Sequence, residues 1–330
     1  VKFSLKVPGL DLYPGRGTHW WRNIQPQELV AIVRRIEELD YDQVNVATHF
    51  AMDRESTVEM GAHWTHSLSA AGFILGATTR LRVACLVVVP YHQPIELAKA
   101  LSTLDFLSGG RLTVIALVGY KPWEFDLLGV PFDERGPITD EYTEAMQILW
   151  TQERPAFQGR YVSFSDVVFE PKPVQQPLPV WFGGRTRAAM RRIARFGDGW
   201  LPYATPRSQF RAMVEHIYEQ PSFQARPRPL ELGLELFEGT LDPDSHELIE
   251  QPHIVAEKDA VLEQVAEIAA LGATLTSADE MIGAGRFQND QPGALPPIRD
   301  AAEHLERLQW FAEEIMPEAR RIEAAPAGDR

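Results

Sequence analysis

His49 stands at the end of "DQVNVATHF", where an apolar run gives way to a mixed segment. An imidazole there can bond a substrate, carry a proton near neutral pH, or satisfy a buried polar strand end. "HWTH" sets His63 and His66 three residues apart in a helical pattern. It lacks the glutamate of a zinc-binding helix and a third ligand, so no metal is expected. Cys85 is the single cysteine, which excludes an intrachain disulfide and a cysteine-rich metal site. A nucleophilic thiol needs a paired base, and none can be assigned, so a buried strand thiol is expected. Asp126, Asp133, Glu134 and Asp140 read as solvated or capping acids, and no carboxylate pair suited to hydrolysis emerges.

Gly183 and Gly184 separate "PVWF" from a helix that begins near Thr186. A turn without side chains brings backbone N–H groups close to a phosphate; the alternative is a tight connection with no ligand. Arg185, Arg187, Arg191 and Arg192 follow, but helical spacing sends them in different directions, so one or two at most can face an anion. Gly119 closes "GRLTVIALVG" and is read as the rim of a ligand pocket. Gly109, Gly110 and Arg111 precede that run and are read as structural. Trp20, Trp21, Phe50, Trp64, Tyr91, Tyr120, Trp123 and Phe125 gather near the same segment ends. They suit a planar ligand or an apolar substrate, against the alternative of ordinary loop packing. Trp20 and Trp21 follow the first strand and are placed over the opening.

These residues need elements to hold them. Short apolar runs alternate with longer segments of helical period. Strands are expected at "FSLKVPG", "DQVNVATHF", "LRVACLVVVP", "GRLTVIALVG", "LPVWFGG", "DGWLP", "LELGLELF" and "ATLTSA". Helices are expected between them, including "MGAHWTHSLSAAGFILGAT" and the closing "AAEHLERLQWFAEEIMPEAR". Eight strand–helix units predict an α/β fold, a single (β/α)8 TIM barrel over residues 1–330, with chemistry at the C-terminal strand ends. An inserted hairpin or long connection is expected at about 152–178, after the fourth helix. An open doubly wound sheet is the rival, but no GxGxxG follows the first strand.

The 330 residues carry a formal net charge of -14 and no basic stripe, which argues against nucleic acid but not against a locally held phosphate. No run approaches the roughly 18 apolar residues of a membrane span. "VKFSLKVPGL" is too short and polar for a signal peptide, and a cytoplasmic protein is expected.

The chain resembles the luciferase-like oxidoreductase superfamily, especially its coenzyme F420 (deazaflavin)-dependent branch. The resemblance rests on "HF" at His49–Phe50, "PYHQPIELAKALSTLDFLSGGRLTV", "EFDLLGVPFDERGPITDEY", "GRYVSFSDVVFEPKPVQQPLPVWFGG" and "ARFGDGWLP", in order over roughly the first two thirds of the chain. It implies a barrel that uses F420 for hydride transfer or, as the alternative, reduced FMN with oxygen. It maps His49 beside the reactive face of the ring as the catalytic residue. Cys85, Leu86, Gly119, Gly183 and Gly184 become cofactor-binding, the two last beside its phosphate. Trp20, Trp21, Phe50, Tyr91 and Tyr120, from the aromatic reading above, are taken as the substrate pocket. Cys85–Leu86 falls where the family often has a bulged strand with a non-proline cis peptide. Thr48 departs from the pattern, since many relatives have an acidic residue before the histidine.

The leading expectation is hydride transfer between F420 and a small organic substrate, with His49 handling charge or the accompanying proton. The first alternative is an FMNH2- and oxygen-dependent monooxygenase served by a flavin reductase. The second is a flavin- or deazaflavin-binding barrel without turnover. A homodimer is expected from the family, and no metal, nucleic acid or membrane partner.

Overall fold

The computed structural model describes residues 1–12, 19–226, 228–236, 256–283, 295–296 and 298–325. Eight parallel strands follow one another around a ring: β1 (Lys2–Lys6), β2 (Gln43–Val46), β3 (Arg82–Val88), β4 (Leu112–Leu117), β5 (Val180–Phe182), β6 (Gly199–Trp200), β7 (Glu231–Leu232) and β8 (Leu275–Ser277). Sequential pairing runs from β1 to β7, and β1 also pairs with β8 through Lys2–Leu275 and Ser4–Ser277. A parallel bridge between Gly233 and Leu275 closes the ring. There Thr274 N–H donates to the Leu232 carbonyl at 2.8 Å and Leu234 N–H to the Leu275 carbonyl at 3.0 Å. The fold is a TIM barrel.

Helices α1 (Pro26–Glu38), α2 (Ser67–Ala77), α3 (Pro94–Ser108), α4 (Arg135–Thr151), α5 (Arg187–Phe196), α6 (Arg207–Tyr218), α7 (Lys258–Ala270) and α8 (Ala301–Trp310) follow the strands in turn. Their ends are written in the sequence. In α1, Pro26 opens the helix, Gln25 and Glu28 form a reciprocal capping box, and Ile32, Val33 and Ile36 bury one stripe. In α3, the Gln93 side chain accepts from Glu96 N–H, and Gly109 ends the helix in the left-handed region at φ 69°.

The strands alternate between two cores, as their period of two requires. Phe3, Leu5, Val44, Val46, Val83, Cys85, Val87, Val114 and Val180 face outward to the helices. Ala84, Ile115, Trp181 and Leu275 fill the interior, with Leu86, Leu117 and Leu201 packed on them. Leu86 and Leu117 lie two residues further along their strands than Ala84 and Ile115. The leucines therefore form an apolar floor at the C-terminal mouth.

At the opposite end, Arg111 does structural work. Its guanidinium donates to Thr78 Oγ1, to the carbonyls of Leu81 and Leu75, and to that of Ser108. It ties the ends of α2 and α3 to the base of β3.

Three local expectations are corrected. "HWTH" is not helical: His63–Trp64 pairs antiparallel with Asp11–Leu12, and His66 caps α2. β2 stops at Val46, so His49 lies three residues beyond the strand, in the loop. β3 carries no bulge, because it pairs with β4 in unbroken register from Val83–Leu112 to Val88–Leu117. The Cys85–Leu86 peptide is trans; the cis peptides among the described residues are Glu170–Pro171 and Gln176–Pro177. These prolines sit in the connection from α4 to β5, which also holds a hairpin of Phe157–Gln158 and Ser163–Phe164. No helix among the described residues is long and apolar enough to cross a membrane.

Candidate active site

Gly119 makes the site possible. Its φ is +79°, and a Cβ there would lie 2.7 Å from Phe125 Cε2 and 2.9 Å from Val88 Cγ1. Without that atom, Phe125 packs directly against the end of β4, and the short helix Pro122–Leu128 docks on the mouth. Docking carries Glu124 into the interior, where it is 1% exposed.

A buried carboxylate must be satisfied by donors, and Glu124 has them. Phe50 N–H donates to Oε1 at 2.7 Å and Tyr91 O–H to Oε2 at 3.1 Å. His49 Nδ1 lies 3.0 Å from Oε2. Both carboxylate oxygens already accept, so Nδ1 carries the proton of that bond. His49 Nε2 makes no hydrogen bond among the described residues, and the side chain as a whole is 11% exposed. The ring is held edge-on by Trp64 at 4.7 Å and Tyr120 at 6.1 Å between centroids.

Around this core lies a second set of rings. Phe50 packs edge-to-face on Tyr91, His66 and His92 at 5.7, 5.6 and 5.5 Å. Burial, with a further push from His66, lowers the His92 imidazole to about 4, so it is neutral. Burial and the Glu124 charge raise the Tyr91 phenol well above its ordinary value, which keeps it a donor.

Across the mouth, β5 turns into α5 through Gly183 and Gly184. A Cβ on Gly183 would sit 2.7 Å from Leu117 Cδ2, and Gly184 has φ +89°. Thr186 caps the helix by accepting from Ala189 N–H at 3.1 Å, and no acid occupies the first turn. The N–H groups of Arg187 and Ala188 have no partner among the described residues and can meet an anion. Trp200 Nε1–H fixes the Gly184 carbonyl at 2.9 Å. Arg185 donates to the Ala204 carbonyl at 2.9 Å, while Ala204 N–H, at φ +46°, is held by Glu235 at 2.7 Å. Arg192 turns away to Asp140 on α4, and Arg187 and Arg191 are exposed.

The structure thus brings together His49, Phe50, Tyr91 and Tyr120, and sets Leu86, Gly183 and Gly184 around the same mouth. Cys85 points outward, fully buried beside Ser67; burial pushes its thiol up to about 12, partly offset by a hydrogen bond from Ser67. Trp20 and Trp21 lie in the turn His19–Asn23, Trp21 in the outer core and Trp20 against His304 of α8 at 5.6 Å. A cavity of ≈ 450 Å³ between the loops after β2 and β4 is lined by Asp53, Ser56, Tyr120, Lys121 and Trp123 among others. Among the described residues no group of three or more His, Cys, Asp or Glu could hold a metal ion.

Glu124 is the candidate site residue that the sequence hides. It occupies the third position of its helix, where a glutamate ordinarily reads as a cap. Its partner His49 is 75 residues away. The available signal was a lone acid inside the aromatic run "PWEF".

The residues fit a planar, phosphate-bearing cofactor: an apolar floor, a glycine turn that a Cβ would fill, and a helix start without acids.

Comparison with known proteins is consistent with that fit. The family model described as luciferase-like monooxygenase matches residues 6–234. An uncharacterized protein of Mycobacterium tuberculosis (strain ATCC 25618 / H37Rv) is 43% identical over 143 residues, 43% of this chain and 49% of the relative. The chain therefore spans about half the length of such curated relatives. An FMNH(2)-dependent dimethylsulfone monooxygenase of Pseudomonas putida is 29% identical over 208 residues, 62% of this chain and 57% of that protein. The structure of the coenzyme F420-dependent tetrahydromethanopterin reductase of Methanopyrus kandleri superposes with a TM-score of 0.64 at 14% identity, covering 96% of this chain and 99% of that one.

Proposed function

Because the chain belongs to the luciferase-like monooxygenase family, we propose that it is an oxidoreductase of the F420-dependent kind, moving hydride between deazaflavin and a small organic substrate. The observation that carries the reading is His49, whose Nδ1 is held by a buried carboxylate at 3.0 Å while Nε2 makes no hydrogen bond among the described residues. When bound, F420 supplies a ring carbon, C5, that donates or accepts hydride.

The protein's own residues do the rest. Leu86, Leu117 and Leu201, packed on the inner core, would support an apolar ring and keep water from beneath it. Gly184 and the start of α5 would offer N–H donors to the phosphate, with Gly183 keeping the turn clear of side chains. His49 Nε2 takes or returns the proton that balances hydride at the substrate. Trp64 and Tyr120 restrict the ring to that pose, which lowers the orientational cost of the step.

A second reading is favoured by the Pseudomonas relative, whose name specifies FMNH2-dependent oxygenation of a sulfone. In that case the same mouth would hold reduced FMN supplied by a reductase, and turnover would require oxygen.

Anaerobic turnover separates the two. A panel of secondary alcohols, ketones, enones and imines is incubated with F420 or its reduced form, without oxygen. F420-linked conversion is expected, and His49→Ala should lower its rate by about 10²–10⁴-fold with the fold and cofactor affinity kept. Product formation only with FMNH2 and oxygen would overturn the reading.

A further inference from the structure

We infer that Glu124 is the positioning residue of the site: it fixes His49 as the Nδ1–H tautomer, so that the free lone pair lies on Nε2. The kinetic part of this inference rests on the proposed function; the structural part does not.

Glu124 is buried and saturated with donors on both oxygens. Oε1 is occupied by the backbone of Phe50, the residue next to His49. That bond locks the loop, and Oε2 then meets the imidazole of the same loop. Two contacts from one carboxylate define both where His49 sits and how its ring is turned. Tyr91 O–H shares Oε2 and stops the carboxylate from rotating away. Among the described residues no other group bonds Nδ1. Thr48 Oγ1 is buried and has no hydrogen-bond partner, so the residue before the histidine does not set its tautomer. Trp64 and Tyr120 touch the ring only edge-on, which restricts its plane but leaves the proton free to sit on either nitrogen. Orientation of an imidazole by a carboxylate on its far nitrogen is a general way to set the reactive one.

Glu124→Gln tests this with little change of shape. The amide oxygen can still accept from Phe50 N–H, which turns the NH2 group toward Nδ1. Nδ1 must then accept, and the proton moves to Nε2. The ring nitrogens of His49 are read by ¹⁵N–¹H correlation in protein with labelled histidine and no cofactor bound, assigned by comparison with His49→Ala. Wild type should carry its proton on Nδ1, and Glu124→Gln on Nε2. In single turnover with F420, the Gln variant should lose about 10²–10⁴-fold in rate while cofactor affinity changes less than about threefold. Tyr91→Phe keeps the Glu124–His49 bond and should keep the wild-type tautomer.

A proton on Nε2 in the wild type, or an unchanged tautomer in Glu124→Gln, overturns the inference. Equal loss of cofactor affinity and rate would also contradict it, since that describes a collapsed pocket rather than a turned ring. If the tautomer switches but neither F420 nor FMN binds the wild type, the positioning role stands and the proposed function falls.

Discussion

A carboxylate that is 1% exposed sits in the mouth of this barrel only because three donors reach it. Removing one neutral donor should be tolerated: Tyr91→Phe is expected to cost about 1–2 kcal/mol, measured by urea denaturation. A cost near zero would mean that Tyr91 does not bond Glu124. Cys85 illustrates the opposite case. Its thiol is buried beside Ser67 and pushed up to about 12, so it stays protonated at neutral pH. Iodoacetamide should label it only at the rate of unfolding; rapid native labelling would contradict the burial. Residue identities announced these roles unevenly. His49 was visible as a candidate, because it follows an apolar run, although satisfying a buried polar strand end was an equal alternative. Glu124 was not, because its position imitates a helix cap and its partner comes from another loop.

At the scale of elements, the mouth is built from strand ends and the turns that leave them. Gly183 and Gly184 let β5 approach the floor and start α5 without side chains in the way. Gly184→Ala would put a Cβ 3.3 Å from Ala189 Cβ on a backbone at φ +89°. It is expected to weaken a phosphate-bearing cofactor about tenfold in a binding titration while the chain stays folded; unchanged affinity would remove the turn from the site. The strand–helix alternation was readable because parallel strands are buried on both faces and helices are buried on one. The loops were less so. "HWTH" has helical spacing, yet its first half pairs with Asp11–Leu12, a long-range bond that local pattern cannot reveal. The bulge expected in β3 is absent because β2 and β4 pair with it on both sides in continuous register.

For the molecule as a whole, the two ends of the barrel have different duties. Arg111→Ala at the base removes donors to four acceptors, and should destabilise the fold by about 2–4 kcal/mol without altering cofactor affinity. Acid should act through buried imidazoles. Burial lowers His304 to about 3 and His92 to about 4, from an ordinary 6.5. Between those values the unfolded chain binds more protons than the folded one, so their stability contribution is complete above pH 6.5 and is lost as pH falls toward 4 and 3. The thermal midpoint should therefore drop across that window, and His304→Leu should flatten the drop. An identical pH slope would contradict the burial of that ring. The measurement that bears most directly on the account is a parallel anaerobic titration of cofactor-stripped protein with F420 and FMN in both redox states. Tight F420 binding with weak FMN binding is the expected result. Preference for FMNH2, or binding of neither, would contradict it.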